Sequence, residues 1–204
     1  MNRSAFAPRP ARGGPFLLLL LAVLPGLAGC RSGQAEPPLA GSLVGGPFSL
    51  IDHEGKRVRD SDFTGRYRLI YFGFANCPDV CPVDLAVAGA GLRQFEEQDA
   101  ERAARVQPIF ITVDPQRDTP PVLKSYVANF HPRLIGLTGT EAEIEAVKKE
   151  YAIAGLKGEV QPGGGYNMNH NRTLLLLGPQ GEPIAIVPHE TAEAVAQELD
   201  RWVR

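Results

Sequence analysis

The feature that most constrains this chain is an apolar run, Arg68-Leu-Ile-Tyr-Phe-Gly-Phe74, followed within two residues by a Cys77-Pro-Asp-Val-Cys81-Pro82 stretch. The run is aromatic and β-branched enough to be a buried central strand. Pro82 suits the first position of a helix, where its missing N–H is harmless, and Leu85, Ala88, Leu92 and Phe95 then recur at helical spacing. A buried strand therefore feeds a helix through a loop or single turn that carries two cysteines. A helix N-terminus favours thiolate over thiol, because its unpaired N–H groups and dipole stabilise negative charge, and thiolate is the form that attacks disulfides and binds soft metals. Redox exchange and metal capture are the two chemistries open to such a loop.

The surrounding chain supplies the rest of an α/β domain. Phe48–Ile51 and Lys56–Val58 read as a small hairpin turning at Gly55. Val106–Val113 reads as a second parallel strand that ends in the acidic loop Asp114–Pro120. Thr119-Pro120 opens a helix with Val122, Leu123, Tyr126, Val127 and Phe130 on one face. Leu134–Leu137 is a short strand, and Thr140 with Glu143 forms a capping box for the helix carrying Ile144 and Val147. After a polar, glycine-rich loop from Gly155 to Gly165, Thr173–Leu177 and Pro183–Val187 are strands joined by the tight turn Gly178–Gly181. A last helix presents Ala192, Val195, Leu199, Trp202 and Val203 to the core. A parallel βαβ half, a late antiparallel hairpin and a final helix, with the cysteines after the first central strand, predict a thioredoxin-like fold. Its central mixed sheet is flanked by helices and preceded by the N-terminal β-hairpin. Sites in open α/β sheets gather at the carboxyl ends of the strands, so the Asp114–Pro120 loop should open on the same edge as the cysteines.

Ahead of this domain the sequence reads as an export signal. In residues 1–29, Arg3, Arg9 and Arg12 precede the apolar stretch Phe16–Leu24, and Leu27-Ala-Gly-Cys30 forms a small-residue cleavage site. The stretch falls short of the roughly 20 apolar residues of a membrane-spanning helix. Leu27–Cys30 resembles the lipobox of bacterial lipoproteins, which implies cleavage before Cys30 and a lipid on its sulfur. Residues 30–46, rich in Gly, Pro, Ala and Ser, read as a flexible tether, leaving 47–204 as the domain. Losing three arginines and no acid takes the formal net charge from −2 to −5, which gives no support to a nucleic-acid partner. Of the three cysteines, only Cys77 and Cys81 then remain, an isolated pair that is either a disulfide or a site.

Thioredoxin-like oxidoreductases use C-x-x-C, whereas three residues intervene here. At positions i and i+4 around a helical turn two thiolates can face one point and suit a soft ion such as Cu(I); the same sulfurs can also close a small disulfide. A third ligand would complete a trigonal site. His53 lies in the hairpin turn and His131 precedes Pro132 at a helix end. His170 stands between the glycine-rich mobile loop and an apolar strand, and His189 lies at the far end of the same hairpin, so either of these two can reach the cysteines. A peroxiredoxin reading fails because Phe74, three residues before Cys77, cannot hydrogen-bond a peroxide.

Three separated stretches, Tyr71–Pro82, Val113–Pro120 and Tyr166-Asn-Met-Asn-His170 with the later Gly178–Gly181 turn, closely resemble the Sco/SenC family of copper proteins over about Pro47 to Trp202. The resemblance implies Cys77, Cys81 and His170 as copper ligands, for Cu(I) and Cu(II), and returns His189 to a structural role. It implies a copper chaperone that serves the copper-centre subunit of cytochrome c oxidase during assembly. The alternative is a thiol:disulfide oxidoreductase that reduces the oxidase cysteines. Other copper chaperones or thiol reductants of the periplasm are further expected partners, and the expected location is the bacterial envelope, lipid-anchored through Cys30. Asp114 is expected to fix its loop and Asp118 to cap the following helix, with either acid a candidate for tuning the ligands. Ala75-Asn76 and Asn171 depart from the family pattern beside the ligands without removing one.

Overall fold

The computed structural model describes Ala7, residues 35–160 and residues 165–204. The expected signal segment, Ala7 apart, and the expected lipidation site Cys30 lie outside the described residues. Among the described residues no helix is long and apolar enough to cross a membrane.

The elements in chain order are β1 (Ser49–Asp52), β2 (Arg57–Arg59), a 3-10 turn (Asp60–Phe63), β3 (Tyr67–Gly73), α1 (Val80–Gln98), α2 (Ala100–Ala104), β4 (Val106–Thr112), α3 (Pro120–Val127), β5 (Ile135–Thr138), α4 (Glu141–Glu150), β6 (Gly155–Lys157), β7 (Met168–His170), β8 (Leu174–Leu177), β9 (Pro183–Ile186) and α5 (Ala192–Trp202). Seven strands form one mixed sheet in the order β2-β1-β5-β4-β3-β8-β9. Strands β3, β4 and β5 are parallel, with Tyr71 beside Phe110 and Ile109 beside Ile135, while β8 and β9 add antiparallel on one flank and β1 and β2 on the other. This is the thioredoxin-like α/β architecture, with the hairpins where the sequence places them.

Strand β3 lies inside the sheet between β4 and β8, and every one of its residues is buried. Alternation sends its side chains to two layers. On one face the Tyr71 hydroxyl meets α1 through Asp84, and Phe110 of the adjacent strand stacks obliquely on Tyr126 of α3, their ring centroids 5.4 Å apart. On the other face Phe72 meets Tyr151, which ends α4, also at 5.4 Å. Helix α4 begins with the expected capping box between Thr140 and Glu143. Helices α1 and α5 lie very close together: a Cβ on Gly91 would stand 2.5 Å from Val195 Cβ and 2.7 Å from the Ala192 carbonyl oxygen.

Three expectations are corrected, and one further element is found. The chain is not a free tether up to Gly46: the Leu39 N–H donates to Ile184 O at 3.0 Å, Gly45 N–H to Glu150 O at 2.9 Å, and the Tyr151 hydroxyl to Gly46 O at 3.1 Å. Leu39 and Val44 pack on the core, and two isolated apolar residues in a Gly/Pro-rich stretch carry no periodicity that would announce this. Helix α1 begins at Val80, two residues before Pro82, which brings Cys81 into the first turn; Pro82 still falls among the first four residues, whose N–H groups have no helical partner. The short helix α2 between Asp99 and Arg105 was not anticipated. The glycine-rich segment is not wholly loop, because Gly155–Lys157 pairs antiparallel with Met168–His170 as a second, two-stranded sheet.

The close approach of α1 to α5 leaves no room at Gly91. Gly91→Val should lower stability by about 1–3 kcal/mol, the ordinary range for overpacking, seen as a lower midpoint in denaturant unfolding followed by circular dichroism. A midpoint equal to wild type would show that the two helices can separate at no cost.

Candidate metal centre

The cysteines are placed by the junction between β3 and α1. The Cys77 N–H donates to Phe74 O at 3.2 Å, closing a turn straight after the strand, and the Cys81 N–H, in the first turn of α1, donates to Cys77 Sγ at 3.4 Å. An otherwise unpaired helix N–H is thus spent on the outer sulfur. Both cysteines are free thiols; Cys77 is half-buried and Cys81 fully buried. Glycine at residue 73 makes room for the Cys81 sulfur, since a Cβ there would stand a tight 3.0 Å from it.

Asp118 fixes the same junction from the loop that follows the neighbouring strand β4. It is fully buried, and one carboxylate oxygen accepts from Ala75 N–H at 2.9 Å and from the Thr112 hydroxyl at 2.6 Å. The expectation that Asp118 caps α3 is corrected: Thr119 is the N-cap residue, and Asp118 points inward to hold the thiol loop instead. Burial, partly offset by these two hydrogen bonds, raises its pKa. Asp114 does fix its loop. Its carboxylate is paired with Arg117 and accepts from the Tyr166 hydroxyl at 2.9 Å. Arg117 in turn donates to Tyr166 O at 2.8 Å, with its guanidinium 3.7 Å from the Tyr166 ring centroid and 5.6 Å from that of Phe74. Together these contacts fasten the segment leading into β7 to the strand ends.

Strand β7 delivers His170. Its partner in the β6–β7 ladder is Gly155, so the imidazole is held by paired backbone and not by a mobile loop. His170 Nε2 lies 3.3 Å from Cys81 Sγ, Nδ1 lies 3.0 Å from Asn171 O, and the ring stands edge-on to Phe74 at 5.7 Å. With Nδ1 donating to that carbonyl, Nε2 presents its lone pair to the cysteines. Donor atoms of Cys77, Cys81 and His170 all lie within 4.8 Å of one another. Two sulfurs and one imidazole nitrogen around one point can hold a soft or borderline metal ion in three-coordinate geometry.

Burial shapes the charge states. It pushes the Cys81 thiol up to about 12, and it pulls the His170 pKa down, which keeps the imidazole neutral. The expected thiolate-favouring effect of the helix N-terminus is therefore overridden at Cys81, because removing a thiolate from water costs more than one helix end returns. Deprotonating Cys81 therefore needs more positive charge beside the sulfur than the helix end supplies.

The remaining histidines are occupied elsewhere. His53 Nδ1 accepts from Gly136 N–H at 3.0 Å, buried His131 lies 3.5 Å from Glu96, and His189 Nε2 lies 3.4 Å from Asp84. Sequence reasoning passed over Asp84, Arg172, Arg117 and Tyr166. For Asp84 a signal was present, since an acid three residues after Cys81 falls on the same helix face.

The fold and this cluster define a thioredoxin-like protein whose paired cysteines are joined by a histidine into a metal-binding constellation. The chain belongs to the SCO1/SenC family, whose model matches residues 36–204. Among solved structures it is similar to Bradyrhizobium japonicum ScoI with copper bound, at 38% identity, covering 78% of this chain and 99% of that one with a TM-score of 0.71. It is also similar to yeast Sco1 with copper bound, at 34% identity, covering 78% and 88% with a TM-score of 0.71. Among curated proteins it is 40% identical to Protein SCO1 homolog 1, mitochondrial, of Arabidopsis thaliana, over 71% of this chain and 42% of that protein. It is 35% identical to the Protein SCO1 homolog, mitochondrial, of Homo sapiens, over 85% and 62%. The chain thus spans roughly half the length of these mitochondrial relatives.

The two thiols should react unequally. With Cys81 buried and its thiol raised to about 12, brief alkylation by iodoacetamide at pH 8 should modify Cys77 at least about tenfold faster than Cys81, read by peptide mass spectrometry. Equal labelling would mean that the Cys81 sulfur is open to solvent.

Proposed function

We propose that this protein is a copper chaperone that takes up Cu(I) between the sulfurs of Cys77 and Cys81, with His170 closing the site, and releases it to the copper-centre subunit of cytochrome c oxidase during assembly. The observation that carries the reading is the 3.3 Å approach of His170 Nε2 to the buried Cys81 sulfur, inside a three-donor cluster no wider than 4.8 Å. A reductase needs no histidine there, and it works best with an exposed thiol of lowered pKa; Cys81 is buried and its thiol is raised. Metal capture accounts for both features, and the oxidoreductase alternative accounts for neither.

The chemistry is ligand exchange without change of oxidation state. Cu(I) replaces the thiol protons of Cys77 and Cys81, and the resulting thiolates share the charge of the ion. Cys77, half-buried at the rim, is the ligand an acceptor thiolate reaches first, and His170 is the neutral donor that can leave without separating charge. Imidazole also suits Cu(II), so the same three residues can hold the oxidised ion. Asp114 and Asp118 serve by fixing the loops, as their hydrogen bonds to Tyr166, Ala75 and Thr112 support. The N-terminal sequence supports cleavage before Cys30, a lipid on that residue, and a place on the envelope membrane facing the periplasm, within reach of other copper chaperones and thiol reductants.

Anaerobic titration of the domain with Cu(I) and Cu(II), monitored by absorption, tests the site. Wild type should bind one equivalent of each and show a thiolate-to-Cu(II) charge-transfer band. Cys77→Ser and Cys81→Ser should each abolish tight Cu(I) binding, and His170→Ala should weaken Cu(II) by about 100-fold, the upper end of what losing even a supporting partner costs, with a smaller effect on Cu(I). Full stoichiometric Cu(I) retention in either serine variant would sink the assignment.

A further inference from the structure

The segment that carries His170 is joined to α1 a second time, two residues further on. Asp84 lies three residues after Cys81, just under one helical turn, and is only 1% exposed. Its carboxylate is gripped by both arms of Arg172: Nε donates to Oδ2 at 2.9 Å and Nη2 to Oδ1. Arg172 stands two residues after His170, in the stretch between β7 and β8 that belongs to no strand. The first two turns of α1 and the 170–172 segment therefore meet at two successive contacts, Cys81 with His170 and Asp84 with Arg172. The Tyr71 hydroxyl donates to the same Asp84 carboxylate at 2.8 Å, and His189 approaches it at 3.4 Å. Burial alone would raise the Asp84 pKa, but the hydrogen bonds from Arg172 and Tyr71 hold it below the usual carboxylate range, so the group stays charged.

We propose that the Asp84–Arg172 ion pair is a positioning latch that holds the His170 imidazole over Cys81 before metal arrives, and thereby sets the affinity of the site for Cu(II). This rests on the copper reading of the site given above. A planar guanidinium that meets a carboxylate through two parallel hydrogen bonds fixes distance and orientation together, which a single contact or a lysine does not. The carboxylate end is immobile, because it is buried on α1 and tied to the central strand through Tyr71. The arginine end is not otherwise restrained, since 51% of its side chain is exposed. What the pair fixes is therefore the backbone of residue 172, and through two residues the ring of His170. The hairpin β6–β7 has only three pairs, Gly155 with His170, Leu156 with Asn169 and Lys157 with Met168, and His170 is at its end, where pairing alone allows most fraying. The latch secures that end. Its effect should fall on Cu(II), which draws on the imidazole, more than on Cu(I), which the two thiolates hold.

Asp84 keeps Tyr71 and His189 as partners when the half-exposed Arg172 is lost, so Arg172→Met should stay folded with a lower melting temperature, which a thermal melt checks. Cu(II) affinity should fall about 10- to 100-fold, the range for loss of a residue that orients a ligand, with Cu(I) affinity changed less than about threefold. Arg172→Lys, which keeps the charge without the fork, should recover only part of the loss. In a His170→Ala background the Arg172→Met change should have no further effect, since a latch on an absent ring has nothing to hold. In the metal-free protein, ring-to-ring nuclear Overhauser contacts between His170 and Phe74 should be present in wild type and lost in Arg172→Met. Unchanged Cu(II) affinity, equal losses for both oxidation states, losses additive with His170→Ala, or an unaltered His170–Phe74 contact would each overturn the latch. If wild type failed to bind copper while the His170–Phe74 contact still depended on Arg172, the chaperone reading would fall and the latch would stand as a device for placing His170 alone.

Discussion

The site depends on the seating of the first turn of α1 against the end of β3. Gly73 leaves room for the Cys81 sulfur, Tyr71 reaches Asp84 one turn further along the helix, and Asp118 holds Ala75 between strand and turn. These three contacts come from β3, the first turns of α1 and the loops that follow β3 and β4, and they decide where both sulfurs point. His170 at the end of β7 and the Arg172 side chain dock onto that seat. A shift of the helix by one residue would carry Cys81 away from the strand and Asp84 away from Tyr71 together, so sulfur placement and the electrostatic support beneath it are not separable.

Burial is the second governing constraint. A cysteine taken fully out of water holds on to its proton, and the Cys81 thiol is raised accordingly to about 12. A half-buried imidazole beside it, its pKa lowered by partial burial, adds no positive charge to the site. The arrangement favours a ligand that brings positive charge to the buried Cys81 sulfur and disfavours spontaneous attack by that sulfur on a passing disulfide. Cys77, half-buried and accepting the Cys81 N–H, is the opening through which exchange can begin. Under the proposed function, the inner sulfur would secure the metal and the outer one would hand it on.

Much of this was legible in the residues. The continuous apolar run of β3 announced a strand covered on both faces, and the Thr140–Glu143 box gave the start of α4 to the residue, because both signals are local. The cysteine spacing showed that two sulfurs could share one point. Other features were not legible for equally physical reasons. Asp118 precedes Thr-Pro and so looks like a helix cap, yet its carboxylate turns inward to a backbone N–H 43 residues earlier in the chain, and nothing local distinguishes the two uses. Leu39 and Val44 look like linker residues until a core exists for them to cover. The three-residue β6 strand is too short to produce a period, and it forms only because β7 lies beside it.

The sequence by itself determined the strand-to-helix junction, the spacing of Cys77 and Cys81 across it, and the short list of histidines that could join them, since each is read from residue types and spacing along the chain. Spacing alone left His170 and His189 equally able to approach; it was family resemblance that favoured His170. Tertiary structure decided the geometry: the β6–β7 ladder turns His170 onto Cys81, while Asp84 draws His189 to the Tyr71 side. It also decided that Cys81 is a thiol and not the thiolate a helix N-terminus would favour, because desolvation is set by what packs around the sulfur. That packing comes from β3 and β7, segments separated from one another by nearly a hundred residues, and no local pattern encodes it.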